Sequence, residues 1–581
     1  MKFNTVELEK VTLEVERLRV IGAIKEVDNY FCGFVSPIFV ILKPDGKVRL
    51  ILNLKKLNTY VEKLHFKIED WRAVCNSLRS NDYMCKVDLK DAYLSIPVSE
   101  YTSRFFCFKF GEKYYAYQAL PFGFSQSPYI FTKVLKIALT QLRTMGIKII
   151  AYLDDLLIIH SNPHSCREAA DVTISLLSNL GFTINMVKSV LTPTRVIEYL
   201  GLIFDTCKMS ISLPERKVTK IKQLCNRYLT QQRWHIQEVS ELQGTLISAC
   251  PAVQYGLLYT RELARLISLN LVLGNNNYND FMSLSTTAKE DLMWWQNNVG
   301  ITCQPIRPDT YDKNIYTDAC PRGYGGHCEK DEFNGHWSFE EQKLHINILE
   351  LMTVEKALKI FCPNDKNIRI HLRIDNITAV AYINKLGGTQ SLSLQKIAKT
   401  IWTWAIARNI WLSATYIKSK HNFKADELSR RISTDSHWRL STSVFNEIVS
   451  KFGCPSIDLF ASSLNHKVPR YVSYQPEAGA EATDAFTVSW RHEFAYIFPP
   501  FSLIPRVIRK IESDNAIAIV VNPDWPRQTW YPDFVRLTKS ESITFGPSKS
   551  FVKSPVNNLS HDLHRSLRLR VALLSAHHSH S

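Results

Sequence analysis

The chain has 581 residues, of which 45% are hydrophobic and 22% are charged, and its formal net charge is +16. At about 150 residues per domain this length predicts three to four domains, and the composition excludes a disordered, collagen-like or fibrous chain. The positive charge predicts a polyanionic partner, either a nucleic acid or an anionic membrane. We expect that partner on residues 1–433, where 55 Lys and Arg stand against 42 Asp and Glu.

The sequence patterns exclude several classes of protein. Residues 1–20 are charged throughout and lack the apolar segment of a secretory signal. The most apolar window, residues 147–159, is interrupted by two Asp, so we expect no membrane span and no membrane partner. The 13 Cys include no Cys-x-x-Cys pair and indicate reduced, buried thiols. We therefore expect an intracellular protein, in the cytoplasm, the nucleus or both.

The predicted elements divide the chain into blocks. Residues 1–30 predict an amphipathic helix and a loop, and the apolar runs on either side of Pro44-Asp45-Gly46 predict a β-hairpin. Short strands then alternate with helices up to residue 205, which is typical of an α+β domain. The later blocks are a mainly helical stretch at 206–310, a second β-rich block at 311–432, a linker at 430–438, strands with Pro-rich turns at 440–545 and a disordered tail at 546–581.

Three Asp residues of the first block lie at the ends of apolar runs. Asp154 and Asp155 follow Tyr152 between two such runs, which predicts a tight turn joining two buried strands. Asp88 ends a third apolar strand. Phosphoryl transfer with two divalent cations needs carboxylates of this kind, and adjacent strands would bring Asp88 and Asp154 together. The alternative is that these Asp only accept hydrogen bonds from turn amides.

Residues on either side of Asp88 in the sequence are candidates for binding a triphosphate. Lys43 and Arg49 flank the hairpin, and the guanidinium of Arg49 can hold phosphate through two hydrogen bonds. Phe122 precedes Gly123, which permits a close approach of the backbone to a ligand. For Lys43 and Lys188, an ordinary surface position remains the alternative.

Six short motifs occur in a fixed order in this block: KPDGKVRLILNLKKLN, DLKDAY, LPFGFSQSP, YLDD, GFTINMVKS and EYLGLIF. In order and spacing they resemble those of reverse transcriptases, over about residues 20–205. The resemblance implies a right-hand polymerase with fingers, palm and thumb. Fingers and palm would occupy residues 1–205, and a helical thumb or connection would occupy residues 206–310.

The resemblance also implies roles for single residues. Asp88, Asp154 and Asp155 would be catalytic and would bind two Mg²⁺ or Mn²⁺ ions. Residues that would bind the incoming deoxynucleoside triphosphate are Lys43, Arg49, Tyr93, Phe122, Gly123 and Lys188. Tyr93 would lie under the sugar and select against ribonucleotides. Residues that would contact the DNA primer, paired with an RNA template, are Tyr199, Leu200 and Gly201.

The second β-rich block carries four separated acids: Asp318, Glu350, Asp375 and Asp426. Each one alone could be a solvated or helix-capping carboxylate, but four together suit a second two-metal site that hydrolyses phosphodiesters. Their settings, TDA, ILELMTVEKAL, IDN and NFKADELSR, resemble those of retroelement ribonuclease H. The resemblance implies an α/β domain over residues 311–432, with all four acids catalytic and bound to two Mg²⁺ or Mn²⁺ ions.

One position departs from the ribonuclease H pattern. The family has a mobile histidine ten residues before the last acid, and this chain has Tyr416 there. His421 lies five residues out of register. We expect the acids to bind metal and the release of product to be slower.

The third block contains the segments DLFAS and FPPF. These are similar to segments of adenine methyltransferases, but Ala461, Ser462 and Ser463 replace the expected glycines. Phe498 stands where that family has an acid or amide that holds the target amine. We therefore expect a small α/β module at 440–545 that is either a degenerate methyltransferase-like domain or purely structural.

The order of polymerase, ribonuclease H and third block resembles the polyprotein of DIRS-type retrotransposons, which encode a tyrosine recombinase. A gypsy-like element is the alternative, although no HHCC integrase module is found. Protease, recombinase and capsid motifs are also absent, so we expect a fragment or one reading frame, with recombinase and capsid proteins as further partners.

The resulting functional prediction is an RNA-directed DNA polymerase whose ribonuclease H degrades the RNA of RNA–DNA hybrids. The alternative is a decayed or domesticated nucleic-acid-binding remnant. The intact acids argue against that alternative, and Tyr416 keeps it open.

Overall fold

The computed structural model describes residues 5–42, 48–431 and 438–576, and it confirms an α+β chain of several domains. The helices are α1 Thr5–Val20, α2 Trp71–Ser77, α3 Glu100–Ser103, α4 Ser127–Thr144, α5 Pro163–Asn179, α6 Glu215–Thr230, α7 Ile236–Ala249, α8 Arg261–Leu273, α9 Thr286–Asn298, α10 Ile346–Phe361, α11 Ile377–Asn384, α12 Leu392–Ile406, α13 Phe423–Arg430, α14 Thr442–Phe452, α15 Ile504–Ser513 and α16 Tyr531–Leu537. Within the described ranges, no helix combines the length and apolar character needed to cross a membrane.

The strands of the first 308 residues are β1 Ile24–Val27, β2 Ile38–Leu42, β3 Val48–Leu52, β4 Tyr83–Asp88, β5 Cys107–Phe110, β6 Lys113–Tyr117, β7 Lys148–Tyr152, β8 Asp155–His160, β9 Val190–Thr194, β10 Val196–Tyr199, β11 Leu202–Asp205, β12 Ser210–Ser212, β13 Trp234–His235, β14 Phe281–Met282 and β15 Gln304–Pro305. The later strands are β16 Lys313–Ala319, β17 Gly323–Cys328, β18 Asp331–His336, β19 Arg369–Ile374, β20 Trp411–Tyr416, β21 Arg439–Leu440, β22 Ile457–Ala461, β23 Tyr471–Ser473, β24 Ala482–Thr483, β25 Phe494–Ile497, β26 Ile517–Pro523, β27 Ile543–Phe545, β28 Val552–Lys553 and β29 Leu569–Ser575.

The chain forms two compact units, the first made of residues 1–259 and 277–308 and the second of 260–276 and 309–581. The predicted helical connector at 206–310 is therefore divided, because α8 belongs to the second unit. Arg261 at the start of α8 donates a hydrogen bond to the carbonyl oxygen of Lys385 in that unit. The remaining predicted domain boundaries stay predictions.

The centre of the first unit is a sheet in the order β7-β8-β4-β9, whose bonded neighbours are antiparallel. The run from Leu156 to Ile159 in β8 is fully apolar and buried, because β8 lies between β7 and β4. Helices α4 and α5 add Phe131 and Ala170 to the same core. The predicted turn between two buried strands is thus confirmed as the β7–β8 hairpin.

Two smaller sheets complete the amino-terminal part of the first unit. Strands β1, β6 and β5 form one sheet, and β2 pairs antiparallel with β3, as the hairpin prediction required. Residues 43–47 of that hairpin lie outside the described residues. Helix α1 is confirmed, and its Val11 packs in a core with Leu52 of β3 and Phe108 of β5.

The stretch from 206 to 308 in the first unit is helical in α6, α7 and α9, as predicted. Trp234 and Trp295 are fully buried there. The prediction missed a four-stranded sheet in the order β10-β11-β12-β15, because its strands are only two to four residues long.

The second unit contains two larger sheets. One has the order β18-β17-β16-β19-β20. In it β19 is parallel to β16 and to β20, whereas β17 is antiparallel to β16 and to β18. The other has the order β24-β23-β22-β25-β26-β29-β27, with β29 antiparallel to β26 and β27. Apolar side chains from α15 and α16 cover one face of this sheet, and side chains from α14 cover the other.

The prediction of a disordered tail from residue 546 is wrong for the described part of that segment. Strand β29 lies between β26 and β27, and its residues Val571, Ala572 and Leu574 are fully buried. The abundance of Ser, His and Arg concealed one apolar run that completes the sheet. Residues 577–581, and residues 432–437 of the predicted linker, lie outside the described residues.

Shortening one buried side chain of β29 tests this correction. Leu574→Ala should lower the free energy of opening of β29 by about 2–5 kcal/mol, because it removes packing from a closed core. Leu563→Ala is the matched control, since Leu563 is 41% exposed and Leu574 is 0% exposed. Native-state hydrogen exchange of the β26 and β29 amides measures the difference. Equal exchange in the two variants would contradict the placement of β29.

Candidate active sites

The predicted polymerase acids lie where β4 ends and β8 begins, but among the described residues their carboxylate oxygens do not all lie within 4.8 Å of one another. Asp88 is the Cα partner of Asp155 across these antiparallel strands. Asp154 lies in the two-residue turn before β8, where it is exposed, and its carbonyl oxygen accepts a hydrogen bond from the amide of Leu89 at 2.9 Å. Leu153, the other turn residue, has a left-handed φ of 53°, a strained conformation that tertiary contacts must hold.

The charges around these acids oppose one another. Desolvation raises the pKa of both Asp88 and Asp154, and the negative charge of Asp155 raises both further. The chain supplies some compensation, because Lys188 lowers the pKa of Asp88 and Arg49 lowers that of Asp154. The two predicted phosphate-binding cations therefore act on the acids.

Two neighbours of Asp88 and Asp155 were not recognised in the sequence. Lys86 forms an ion pair with Asp155 at 2.9 Å between Nζ and Oδ1. The side chain of Asn185 forms a hydrogen bond with the Asp88 carboxylate, and the backbone N–H of Asn185 donates to the Asp88 carbonyl oxygen at 2.8 Å. Asn185 lies in the motif GFTINMVKS, in which Lys188 was the one predicted site residue.

The predicted nucleotide-binding residues Tyr93 and Phe122 pack together, with ring centroids 5.2 Å apart. The guanidinium carbon of Arg49 lies 4.8 Å from the centroid of the Phe122 ring. Burial, and then the charge of Asp154, raises the pKa of Tyr93 to about 12. Tyr93, Phe122 and Arg49 thus form one surface beside Asp154, whereas Lys43 lies outside the described residues.

Gly123 is required by the fold itself. Its φ is +109°, and a Cβ placed there would lie 2.1 Å from the carbonyl oxygen of Leu52. The close approach that Gly123 makes here is to strand β3, and its approach to a ligand stays a prediction.

The predicted primer-contacting residues lie in two environments. Tyr199 is fully buried, and its hydroxyl donates to the Asp155 carbonyl oxygen at 3.0 Å. The predicted contact of the Tyr199 side chain with a primer is therefore not available in this structure, and the side chain instead supports the β7–β8 hairpin. Leu200 and Gly201 form the turn between β10 and β11 with φ values of 53° and 69°, and Lys217 donates to the Gly201 carbonyl oxygen at 2.8 Å.

Three of the four acids in the second unit form a compact group. Among the described residues, Asp318, Glu350 and Asp375 are the one group of three or more such side chains whose ligand atoms all lie within 4.8 Å of one another. Asp318 lies near the end of β16 and Asp375 directly follows β19, and these strands are parallel. Parallel strands end at the same sheet edge, and α10 adds Glu350 from one face.

The environment of this group disfavours its negative charges. Burial, together with the charges of Asp318 and Asp375, raises the pKa of Glu350 to about 9. Burial also raises the pKa of Asp318 to about 7, although Ser429 donates a hydrogen bond to its Oδ2 at 2.5 Å. Among the described residues, the buried Glu350 Oε2 has no hydrogen-bond partner. Mg²⁺ or Mn²⁺ fits this group, because the carboxylate oxygens are ligands that these ions prefer and a cation would relieve the repulsion between the acids.

Asp426 lies outside this compact group. Its Oδ1 forms an ion pair with Arg430 at 2.8 Å on the same helix, α13. Its charge raises the pKa of Asp318, so it still acts on the group.

The residues that follow β20 differ from the expectation of a histidine loop. Tyr416 ends β20 and is 44% exposed, and His421 is exposed in a short 3₁₀ turn, Ser419–His421. Ser419, which the sequence reasoning missed, donates to Asp375 Oδ2 at 2.9 Å. Serine is common in exposed loops, so the sequence around Ser419 contains no pattern that would have indicated this contact.

The third block has a cavity of about 380 Å³ lined by residues that include Phe460, Asn465, Asp484 and Arg506. Asp458, the first residue of the DLFAS segment, is buried and accepts hydrogen bonds from the backbone N–H groups of Phe460 and Lys467 at 3.4 and 3.1 Å. Its burial raises its pKa to about 7. Both oxygens of Asp458 therefore serve the fold.

Comparisons with known proteins bear on this arrangement. Residues 41–204 match the family model described as reverse transcriptase (RNA-dependent DNA polymerase). An enzymatic polyprotein of cassava vein mosaic virus is 23% identical over 468 residues, which are 76% of this chain and 67% of that protein. The Pro-Pol polyprotein of simian foamy virus type 1 is 26% identical over 29% of this chain and 14% of its own length. A solved foamy viral protease-reverse transcriptase in complex with an RNA/DNA hybrid shares 17% identity over 75% of this chain and 56% of that chain, with a TM-score of 0.47.

The chain therefore carries a reverse transcriptase domain of the kind found in retroviral and retrotransposon polyproteins. It spans 67% of the cassava virus polyprotein and 14% of the foamy virus polyprotein.

The contact of Gly123 with β3 can be tested by substitution. Gly123→Ala should lower the melting temperature more than Gly111→Ala, because both glycines have positive φ but only Gly123 has no space for a Cβ. Gly111→Ala should cost about 1–2 kcal/mol from its backbone conformation alone. Differential scanning calorimetry of the two variants measures the difference, and an equal effect would contradict the close approach to Leu52.

Proposed function

We propose that the chain is the RNA-directed DNA polymerase of a retroelement, with an associated ribonuclease H that degrades the RNA strand of RNA–DNA hybrids. The observation that carries the proposal is the pairing of Asp88 with Asp155 across β4 and β8, beside Asp154, inside the reverse transcriptase domain. Tethered carboxylates beside cationic side chains are what phosphoryl transfer to a nucleotide requires.

In the proposed polymerase, each residue has a role that its position supports. Asp88, Asp154 and Asp155 hold two Mg²⁺ or Mn²⁺ ions, which when bound activate the attacking oxygen and stabilise the leaving group. Arg49 and Lys188 bind the triphosphate, since their charges already act on the acids. Tyr93 and Phe122 orient the sugar of the nucleotide through their packed rings.

In the proposed ribonuclease H, Asp318, Glu350 and Asp375 hold the cations, and their compact geometry supports this assignment. Asp426 acts on the group through its charge and orients Arg430. Ser419 and Ser429 are positioning residues, because each donates a hydrogen bond to one acid. Tyr416 replaces the histidine of the family, so product release is expected to be slow.

The proposed substrates are an RNA template, a DNA primer, deoxynucleoside triphosphates and RNA–DNA hybrids. The net charge of +16 supports binding through phosphates, which makes affinity depend strongly on salt and little on base sequence. We place the protein inside the cell, in cytoplasm or nucleus, and assign it to a DIRS-type element, with recombinase and capsid proteins of that element as further partners. The DIRS-type assignment rests on the order of the three blocks in the sequence.

The polymerase is tested by primer extension on an RNA template with Mg²⁺. Asp154→Asn should reduce extension about a hundredfold or more, because it removes one negative ligand from the cation site. Asp171→Asn is the control, since Asp171 pairs with Arg167 on the surface of α5. A wild-type chain that extends no better than Asp154→Asn would support a non-catalytic nucleic-acid-binding remnant.

The ribonuclease H is tested separately with an RNA–DNA hybrid whose RNA is labelled. Glu350→Gln should reduce cleavage about a hundredfold or more, while Glu355→Gln on the same helix should leave it unchanged. Glu355 is a suitable control because it forms an ion pair with Lys359 on α10. Cleavage that persists in Glu350→Gln would contradict the assignment of this site.

A further inference from the structure

A large cleft in the second unit lies next to the Asp318 group. Its volume is about 1160 Å³, and it is lined both by residues around the second acid site and by residues 549–564. These residues follow the predicted block 440–545, but they belong to the third block of the structure because β29 completes the same sheet. Ser429 and Arg430 line one part of the cleft, and they contact Asp318 and Asp426 directly. The cleft therefore opens at the proposed ribonuclease H site.

The lining of the cleft is positively charged. Its described lining residues include Arg322, Arg430 and Lys549, and Asp562 is the one carboxylate among them. Arg430 is paired with Asp426, so Arg322 and Lys549 supply the excess positive charge. Arg322 and Lys549 are exposed, so their charges reach the solvent of the cleft. A concave surface with this excess of positive charge attracts phosphate groups.

Trp438 adds an aromatic side chain to the same lining. Its ring centroid lies 4.4 Å from that of His561 and the ring planes are tilted by 52°, so His561 supports the Trp438 ring from the side. Bases of a single strand can stack on such a ring, whereas the bases of a duplex are already stacked on one another.

The wall formed by residues 549–564 is held against the other wall by hydrogen bonds. Gln342 Nε2 donates to the Val556 carbonyl oxygen at 2.8 Å and to that of Trp337 at 3.1 Å. Ser560 Oγ donates to the Lys549 carbonyl oxygen at 2.7 Å, which fixes the backbone at Lys549. The cleft is thus a preformed feature of the second unit.

We propose that this cleft binds a single strand of nucleic acid that extends from the hybrid held at the Asp318 group. The proposal rests on the proposed ribonuclease H and assigns a role in it to the third block. The volume exceeds the roughly 300–1,000 Å³ of small-molecule sites, and the combination of cations with an aromatic surface suits a polynucleotide. Arg322 and Lys549 contact phosphates, and Trp438 stacks on a base.

Binding of labelled hybrids to the full chain tests the proposal, with no divalent cation added so that cleavage does not interfere. One hybrid is blunt. Each of two other hybrids carries one single-stranded RNA overhang of about eight nucleotides, at the 5′ end in the first and at the 3′ end in the second. Wild type should bind one overhang hybrid at least about fivefold more tightly than the blunt one. The double variant Arg322→Ala/Lys549→Ala should lose that gain and bind the blunt hybrid as wild type does.

The salt dependence gives an independent measure of the same contacts. For the overhang hybrid, the slope of log affinity against log salt should fall by about 1.4 in the double variant, because two phosphate contacts on a single strand are lost. Lys539→Ala is the control, since Lys539 is exposed in the third block and does not line the cleft. A gain that survives in the double variant, or that is equally lost in Lys539→Ala, would overturn the proposal.

Crosslinking locates the strand directly. An overhang with 5-iodouridine should crosslink to the peptide that contains Trp438, and crosslinks confined to other peptides would overturn the proposal. Hybrid cleavage is measured on the same preparations. If wild type binds the overhang but never cleaves the hybrid, the proposed ribonuclease H is wrong and the cleft proposal stands. If wild type cleaves the hybrid but gains no affinity from the overhang, the cleft proposal is wrong and the ribonuclease H proposal stands.

Discussion

Repulsion between neighbouring carboxylates is the constraint on which the arrangement of both units depends. Asp318 and Glu350 are buried next to Asp375, and burial with mutual repulsion raises the pKa of Glu350 to about 9. An isolated group of this kind opposes folding, so the surrounding core must offset its cost. That core consists of strands such as β16 and β19, whose residues Ile315 and Leu372 are fully buried.

The two acid groups meet this constraint in different ways. In the first unit, antiparallel β4 and β8 bring Asp88 opposite Asp155, and Lys86, Arg49 and Lys188 supply positive charge nearby. In the second unit, parallel strands end at one edge, and much of the support comes from neutral donors such as Ser429. The second group is consequently left with more of its repulsion, and a bound cation should stabilise it more than the first.

The sequence predicted those parts of the site that depend on local pattern. An apolar run ending in Asp indicates a buried strand with an acid at its edge, and this pattern identified Asp88, Asp154, Asp318 and Asp375. It could not identify contacts that depend on tertiary packing, such as the burial of Tyr199 beneath the hairpin or the approach of Gly123 to β3. Strand β29 was missed for the same reason, since its partners β26 and β27 decide that it is a strand.

The third block illustrates how a conspicuous motif can serve structure while an inconspicuous segment forms a surface. Asp458, the first residue of the DLFAS motif, accepts hydrogen bonds from backbone amides with both oxygens, so the motif stabilises β22 and the loop that follows. The segment around Val556 has no motif, yet Gln342 ties it to the block that holds the acids. This hydrogen bond joins the 3₁₀ turn Glu341–Lys343 to the segment after β28, and both lie in the second unit. Because Ser429 and Arg430 line the same cleft, the geometry gives the third block a part in shaping the surroundings of the second acid group.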